Sequence, residues 1–279
     1  LAQMLLSNWF DNTAEALERT GRYAAEALSI DPQNVAALTA MGAYELFSFE
    51  FEAAEAHFQR ALAVNPNSVD AANWYGDFLL IVHRLDEALV WETLAARLDP
   101  LLAVHQLNIG FVHSQAGNIE GAVSAYRAAL EIDPGFANAL INLTRILVTE
   151  RDFEALQALD HAYDGPLRKN LDDVMAFARL IEDGELEAAE AMVSDMPADT
   201  TKVLALRMLH QDQSPAAWDL LAAIHEQQTK AGYPTYLWPD TTPTFPAILA
   251  QSEAYAAFWR TPPRDRVLKL RGHWIPAQQ

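Results

Sequence analysis

The chain has 279 residues, 51% of them apolar and 20% charged, a globular balance that allows a sizeable core. It contains no cysteine, which excludes disulfides, thiolate metal sites and cysteine nucleophiles. With 19 basic against 38 acidic residues the formal charge is −19, which argues against general binding to nucleic acid or anionic membrane, both polyanions.

Residues 1–34 read as an N-terminal helix followed by a partial repeat, with Leu17–Pro32 as the second helix of an incomplete unit. From there a period of 34 governs the chain. Ile30-Asp31-Pro32, Val64-Asn65-Pro66, Leu98-Asp99-Pro100 and Ile132-Asp133-Pro134 keep this step, as do Ala27, Ala61, Ala95 and Ala129. So do Phe51, Leu85, Ile119 and Phe153, then Ala54, Ala88 and Ala122, then Gly42, Gly76 and Gly110. Proline after Asp or Asn ends a helix, because it lacks an N–H and disfavours helical geometry in the residue before it. Asn34 and Ser68 stand where the next helix wants an N-cap. The small residues let two helices approach closely, and between them the apolar residues follow helical spacing, with Glu45 a polar exception. Each unit is therefore a helix–turn–helix.

Val35–Pro134 resembles three consecutive tetratricopeptide repeats, and Ala54-x-x-x-Phe58-x-x-Ala61 and Ala122-x-x-x-Tyr126-x-x-Ala129 are close to that family's second-helix pattern. The middle unit has Glu92 where an aromatic is usual, and Trp91 is expected to fill part of that gap. The resemblance implies an all-α, right-handed α-α solenoid that binds protein or peptide and is not an enzyme. Three well-formed repeats are expected over 35–136 and two degenerate ones over 137–197, the first with Leu156 in place of the expected alanine. Residues 198–279 are expected to form a Pro- and Trp-rich helical cap. Within it, helices are predicted over Thr200–Gln211, Pro215–Lys230, Phe245–Arg260 and Arg264–Leu270, with a loop over Gly232–Pro246. The basic stretch of Arg260, Arg264, Arg266, Lys269 and Arg271 is expected to dock on the protein's own acidic surface.

The search for chemistry finds no phosphate-binding glycine loop, no nucleophile turn and no zinc-protease helix, so neither cofactor nor metal is expected. His105 and His113 lie eight residues apart on one helix, too far to chelate one ion. In the resembled architecture the first helix of each pair lines the concave side. The 34-residue frame then places Asn73, Asp77, Asn108, Phe111, Asn142 and Arg145 along the inner surface, with Phe47 and Trp74 nearby. Carboxamides spaced one repeat apart suit the backbone of an extended peptide. Some members of the resembled family hold a peptide carboxylate with a clamp of lysines and arginines. Here Arg145 is the only cation among these positions, which favours a neutral or basic partner.

The expected partner is a protein or peptide, or a domain of the same longer chain, and self-association into a homodimer stays open. Two alternatives stand beside the scaffold. One is a regulatory or sensor domain, since degenerate repeats with a short helical tail resemble those attached to bacterial cyclases and winged-helix regulators. The other is small-molecule binding in the aromatic C-terminal region. No apolar run is long enough to span a bilayer, and no signal peptide is recognised. A cytoplasmic location is expected, or a periplasmic one should a targeting segment precede Leu1.

Overall fold

The computed structural model describes residues 14–162, 168–196, 200–210, 214–230, 249 and 252–272. They contain fifteen α-helices and no strand. In chain order these are α1 (Ala14–Ile30), α2 (Val35–Phe47), α3 (Phe51–Val64), α4 (Val69–Ile81), α5 (Leu85–Leu98), α6 (Ala103–Gln115), α7 (Ile119–Ile132), α8 (Ala137–Thr149), α9 (Phe153–Ala162), α10 (Arg168–Glu182), α11 (Leu186–Asp195), α12 (Thr200–His210), α13 (Pro215–Lys230), α14 (Glu253–Trp259) and α15 (Pro262–Leu270). From α2 to α11 they pair as first (A) and second (B) helices of successive repeats, and the array is an α-α solenoid.

Three of the four proline-marked junctions share one turn. Asp31, Asn65 and Asp133 accept from the backbone N–H two residues on, at 3.0, 3.1 and 2.9 Å, folding an Asx turn around the proline. Asn34 and Ser68 then cap α2 and α4, accepting from Ala37 N at 2.9 Å and Ala71 N at 3.4 Å.

The turn inside each repeat holds a column that the motif reading does not contain. Phe49, His83, Gly117 and Arg151, one per repeat, all adopt positive φ, at 62°, 65°, 74° and 55°. The following N–H reaches back to the carbonyl five residues earlier: Glu50 to Glu45 and Arg84 to Leu79 at 2.8 Å, Asn118 to His113 and Asp152 to Leu147 at 2.9 Å. This is the Schellman end of an A helix, and it requires a left-handed residue. Only Gly117 meets that requirement without steric cost among these four; Gly184 does so in the next pair, with φ 77°.

A helices touch A helices of the next repeat, α2 against α4 and α4 against α6, so the A layer lies on the inside of the curve. Two large apolar clusters result. Leu38, Phe58 and Leu79 belong to the N-terminal one, and Tyr126, Leu143 and Phe177 to the other. Phe111 packs against both. In the α8–α9 pair Thr144 replaces the helix-contact glycine and Leu156 the alanine, and these helices meet over a shorter stretch than earlier pairs.

A third cluster joins Trp218, Tyr255, Trp259 and Leu268. The expected continuous helix over Phe245–Arg260 does not form as such: Ser252 is extended and caps α14 through a 2.9 Å bond from Tyr255 N, so the helix starts at Glu253. Its side chain also donates to Asp219 Oδ1 at 2.6 Å, which holds the cap in place. The loop expected over Gly232–Pro246 lies outside the described residues. Helix α15 returns to the N-terminal repeats, where Val267 is fully buried in their cluster.

The turn column generates a paired prediction. Gly117→Ala lowers, and Arg151→Gly raises, unfolding free energy by about 1 kcal/mol in chemical denaturation, because the first introduces and the second removes a left-handed Cβ.

Candidate functional site

Three glycines on the A helices face the same slot on their B partners. A Cβ on Gly42 would come within 2.7 Å of the Phe58 ring, and one on Gly110 would enter the Tyr126 ring. On Gly76 it would strike the Glu92 carboxylate. Glu92 itself therefore occupies the aromatic slot of the second repeat and is fully buried. Trp91, expected to fill that gap, instead lies against Tyr75 with ring centroids 5.5 Å apart.

Around Glu92 the structure assembles a polar network between repeats two and three. Asn108 Nδ2 donates to Asp77 Oδ1 at 3.0 Å, Asn73 Oδ1 at 3.3 Å and Glu92 Oε2 at 3.4 Å. Asn73 Nδ2 donates to Asp77 Oδ2 at 3.3 Å, and His105 Nδ1 lies 2.9 Å from Asn73 Oδ1. Asp77 is 6% exposed and Asn108 4%. Burial pushes the Asp77 carboxyl up to about 8. It pushes Glu92 well above the usual carboxylate range too, with the nearby Asp77 charge adding to the effect and the Asn108 bond opposing it. Burial also lowers His105, against the pull of Asp99 and Asp70. Two carboxyls this close, with no cation among their bonded neighbours, stay protonated where exposed ones ionise.

Of the six residues expected on the inner surface, Asn73, Asp77 and Asn108 are thus spent on one another. Asn142, one repeat after Asn108, behaves differently. It is half-buried, donates to Asn138 O at 2.7 Å and accepts from Arg145 Nη2 at 3.1 Å. The reason lies one repeat back. The acceptor position filled by Asp77 for Asn108 is filled by Phe111 for Asn142, and Phe111 packs edge-on to Tyr126 at 6.0 Å. Trp74 meets Phe47 edge-on, also at 6.0 Å. Arg145 is half-buried beside Tyr126, whose phenol burial pushes up. Glu45, the polar exception on α2, pairs with His57 Nδ1 at 2.7 Å. Sequence reasoning noticed Glu92 as a missing aromatic but not as the centre of a network; a carboxylate in an otherwise aromatic column is the signal.

Among the described residues no group of three or more His, Cys, Asp or Glu is placed to hold a metal ion. Of the C-terminal aromatics, Trp218, Tyr255 and Trp259 are buried in their own cluster. A cavity of about 570 Å³ beside them is lined by Asp219, Ala222, Phe258, Thr261 and Arg264. Tyr233, Tyr236, Trp238, Phe245 and Trp274 lie outside the described residues.

The carboxyl pair sets a pH dependence. Because the folded state keeps protons that the unfolded chain has released, the pair's contribution to stability is complete below about pH 4 and is lost as the pH rises toward 8. Asp77→Asn/Glu92→Gln removes this term. Denaturation of both proteins at pH 4, 6 and 8 is expected to show the variant gaining on the native chain with rising pH, by more than about 1.4 kcal/mol over the range.

Comparison with known proteins agrees with the repeat geometry. Two models of the tetratricopeptide repeat match the chain, over residues 57–90 and 106–136. Cellulose synthase operon protein C of Pseudomonas fluorescens (strain SBW25) is 27% identical over 217 residues, covering 70% of this chain, while the chain spans 17% of that protein's length. PilF of Pseudomonas aeruginosa has a similar fold, with TM-score 0.53, 19% identity, and 85% of this chain and 91% of that one covered. PilW, a type IV pilus biogenesis factor, gives TM-score 0.51 at 18% identity, with 96% of both chains covered. No described helix is long and apolar enough to cross a membrane. The repeated helical pair, its glycine and alanine columns and these matches show that the chain carries tetratricopeptide repeats arranged as a solenoid.

Proposed function

We propose that the chain is a non-catalytic scaffold that binds a protein or peptide segment along the inner face of its A helices, over repeats three and four. The observation that carries this reading is the contrast between two registers of that face. In repeats two and three Asn73, Asp77 and Asn108 bond to each other and hold the repeats at a fixed angle. In repeat four Asn142 and Arg145 bond within their own helix instead of across the repeats, and both are half-buried beside Ile141, 42% exposed, and the partly buried ring of Phe111. A carboxamide and a guanidinium beside apolar surface suit a backbone carbonyl row with an aliphatic or aromatic side chain between.

A second reading, in which the repeats act as one module of a larger assembly or polypeptide, is favoured by the relative of which the chain spans 17%. The two readings share the same groove.

Capture experiments with the purified chain and an Asn142→Ala/Arg145→Ala variant test the proposal. A partner held by the native chain and weakened about tenfold or more by the folded variant supports it, that being the usual scale for losing a hydrogen bond to a charged group. Equal retention by both proteins moves the binding site off this face.

A further inference from the structure

Exposed carboxylates stand at Glu52, Asp86, Glu120 and Glu154, in the first turns of α3, α5, α7 and α9, one per repeat in the same register. The positive end of each B helix favours them there. Together they make an acidic ladder along the edge of the array where A helices turn into B helices. Helix α15 is seated on this edge. Arg266 lies 3.6 Å from Glu52 and 5.5 Å over the Phe51 ring, at the corner of repeat one. Val267 is fully buried in the cluster that holds Phe51 and Val112. Arg271 donates through Nη2 to Gln115 Oε1 of repeat three and lies 3.3 Å from His83 Nδ1 of repeat two. One nine-residue helix and the arginine that follows it thus reach three consecutive corners with a cation, an aliphatic side chain and a second cation.

This seat is not simply an apolar closure. Arg271 is only 6% exposed, yet its bonds go to an amide oxygen and an imidazole nitrogen, and its Nε and Nη1 have no partner. Burial pushes its guanidinium down to about 10. Burying a cation without a carboxylate opposes docking and offsets much of what Val267 contributes. The docked helix is therefore held less firmly than the burial of Val267 and Leu268 alone would hold it. Further along the edge, Asp86, Glu120 and Glu154 offer charge that α15 does not engage.

We propose that this edge is a recognition surface for a basic amphipathic helix, that α15 occupies it in cis, and that a partner helix with arginines flanking an aliphatic residue displaces α15. The charge of −19 on the chain favours such a partner over an acidic one. The site is separate from the inner face proposed above, so either reading can fail without the other.

The probe is a fluorescent synthetic peptide of residues 261–272, titrated against the full chain and against a Val267→Asp/Arg271→Ala chain. The variant is expected to bind at least about tenfold more tightly, because its seat is vacant while the native seat is filled. Higher salt and an added Glu52→Lys/Glu120→Lys reversal are expected to abolish the gain, whereas Asn142→Ala/Arg145→Ala leaves it unchanged. Equal binding by both folded chains, or equal binding of a scrambled peptide, overturns the proposal. A second measurement avoids reliance on the double variant. In the native chain, saturating peptide is expected to speed deuterium exchange at residues 264–271, and unchanged exchange there counts against displacement.

Discussion

The close approach of each A helix to its B partner is the constraint on which the rest of the molecule depends. Where Gly42 meets Phe58 and Gly110 meets Tyr126, a side chain on one helix is replaced by the flat face of a ring on the other. That contact fixes the distance within a pair, and the fully buried alanines Ala54, Ala88 and Ala122 fix it from the opposite helix. With the pair spacing set, the Asx-proline junction and the Schellman turn determine where the next pair begins. The curvature that places A helices inside is then a property of the whole array, not of any one repeat. Where Thr144 and Leu156 enlarge both sides of the contact, the fourth pair loosens and the regular pattern ends.

Much of this architecture was legible in the residues because it repeats. A glycine, an alanine or a proline recurring every 34 positions has a physical cause that can be named from its type alone. The left-handed column was harder to see, since Phe49, His83, Gly117 and Arg151 share a backbone angle and no chemistry. Backbone strain at those turns is outweighed by the helix ends they close, so residue preference there is overridden. The C-terminal helices also resisted reading. Their order depends on contacts such as Ser252 with Asp219 and Val267 with the first repeats, which join positions far apart in the chain and obey no period.

The candidate site shows a different kind of illegibility. Asn108 and Asn142 are the same residue at the same register, and the neighbour one repeat earlier, Asp77 or Phe111, decides whether the amide bonds across the repeats or stays half-buried on its own helix. Reading a surface position in a solenoid thus requires the preceding repeat as well as the one that carries it. The carboxyl at Glu92 makes the same point from the core side: its protonation state is set by burial and by Asp77 on another helix, not by anything adjacent in sequence.

This network also bears on how freely the array can be rearranged. Apolar repeat faces tolerate exchange, because one aliphatic surface packs acceptably on another. Repeats two and three are instead a matched couple, in which Glu92 and Asp77 reach hydrogen-bond donors only through Asn108 and Asn73. A copy of repeat one placed between them would face Asp77 with Ala40 at the position of Asn108, and would separate Glu92 from its donor. Duplication or shuffling is therefore open at the outer boundaries of this couple and closed at its middle, so the protein can lengthen at its ends but not through its centre.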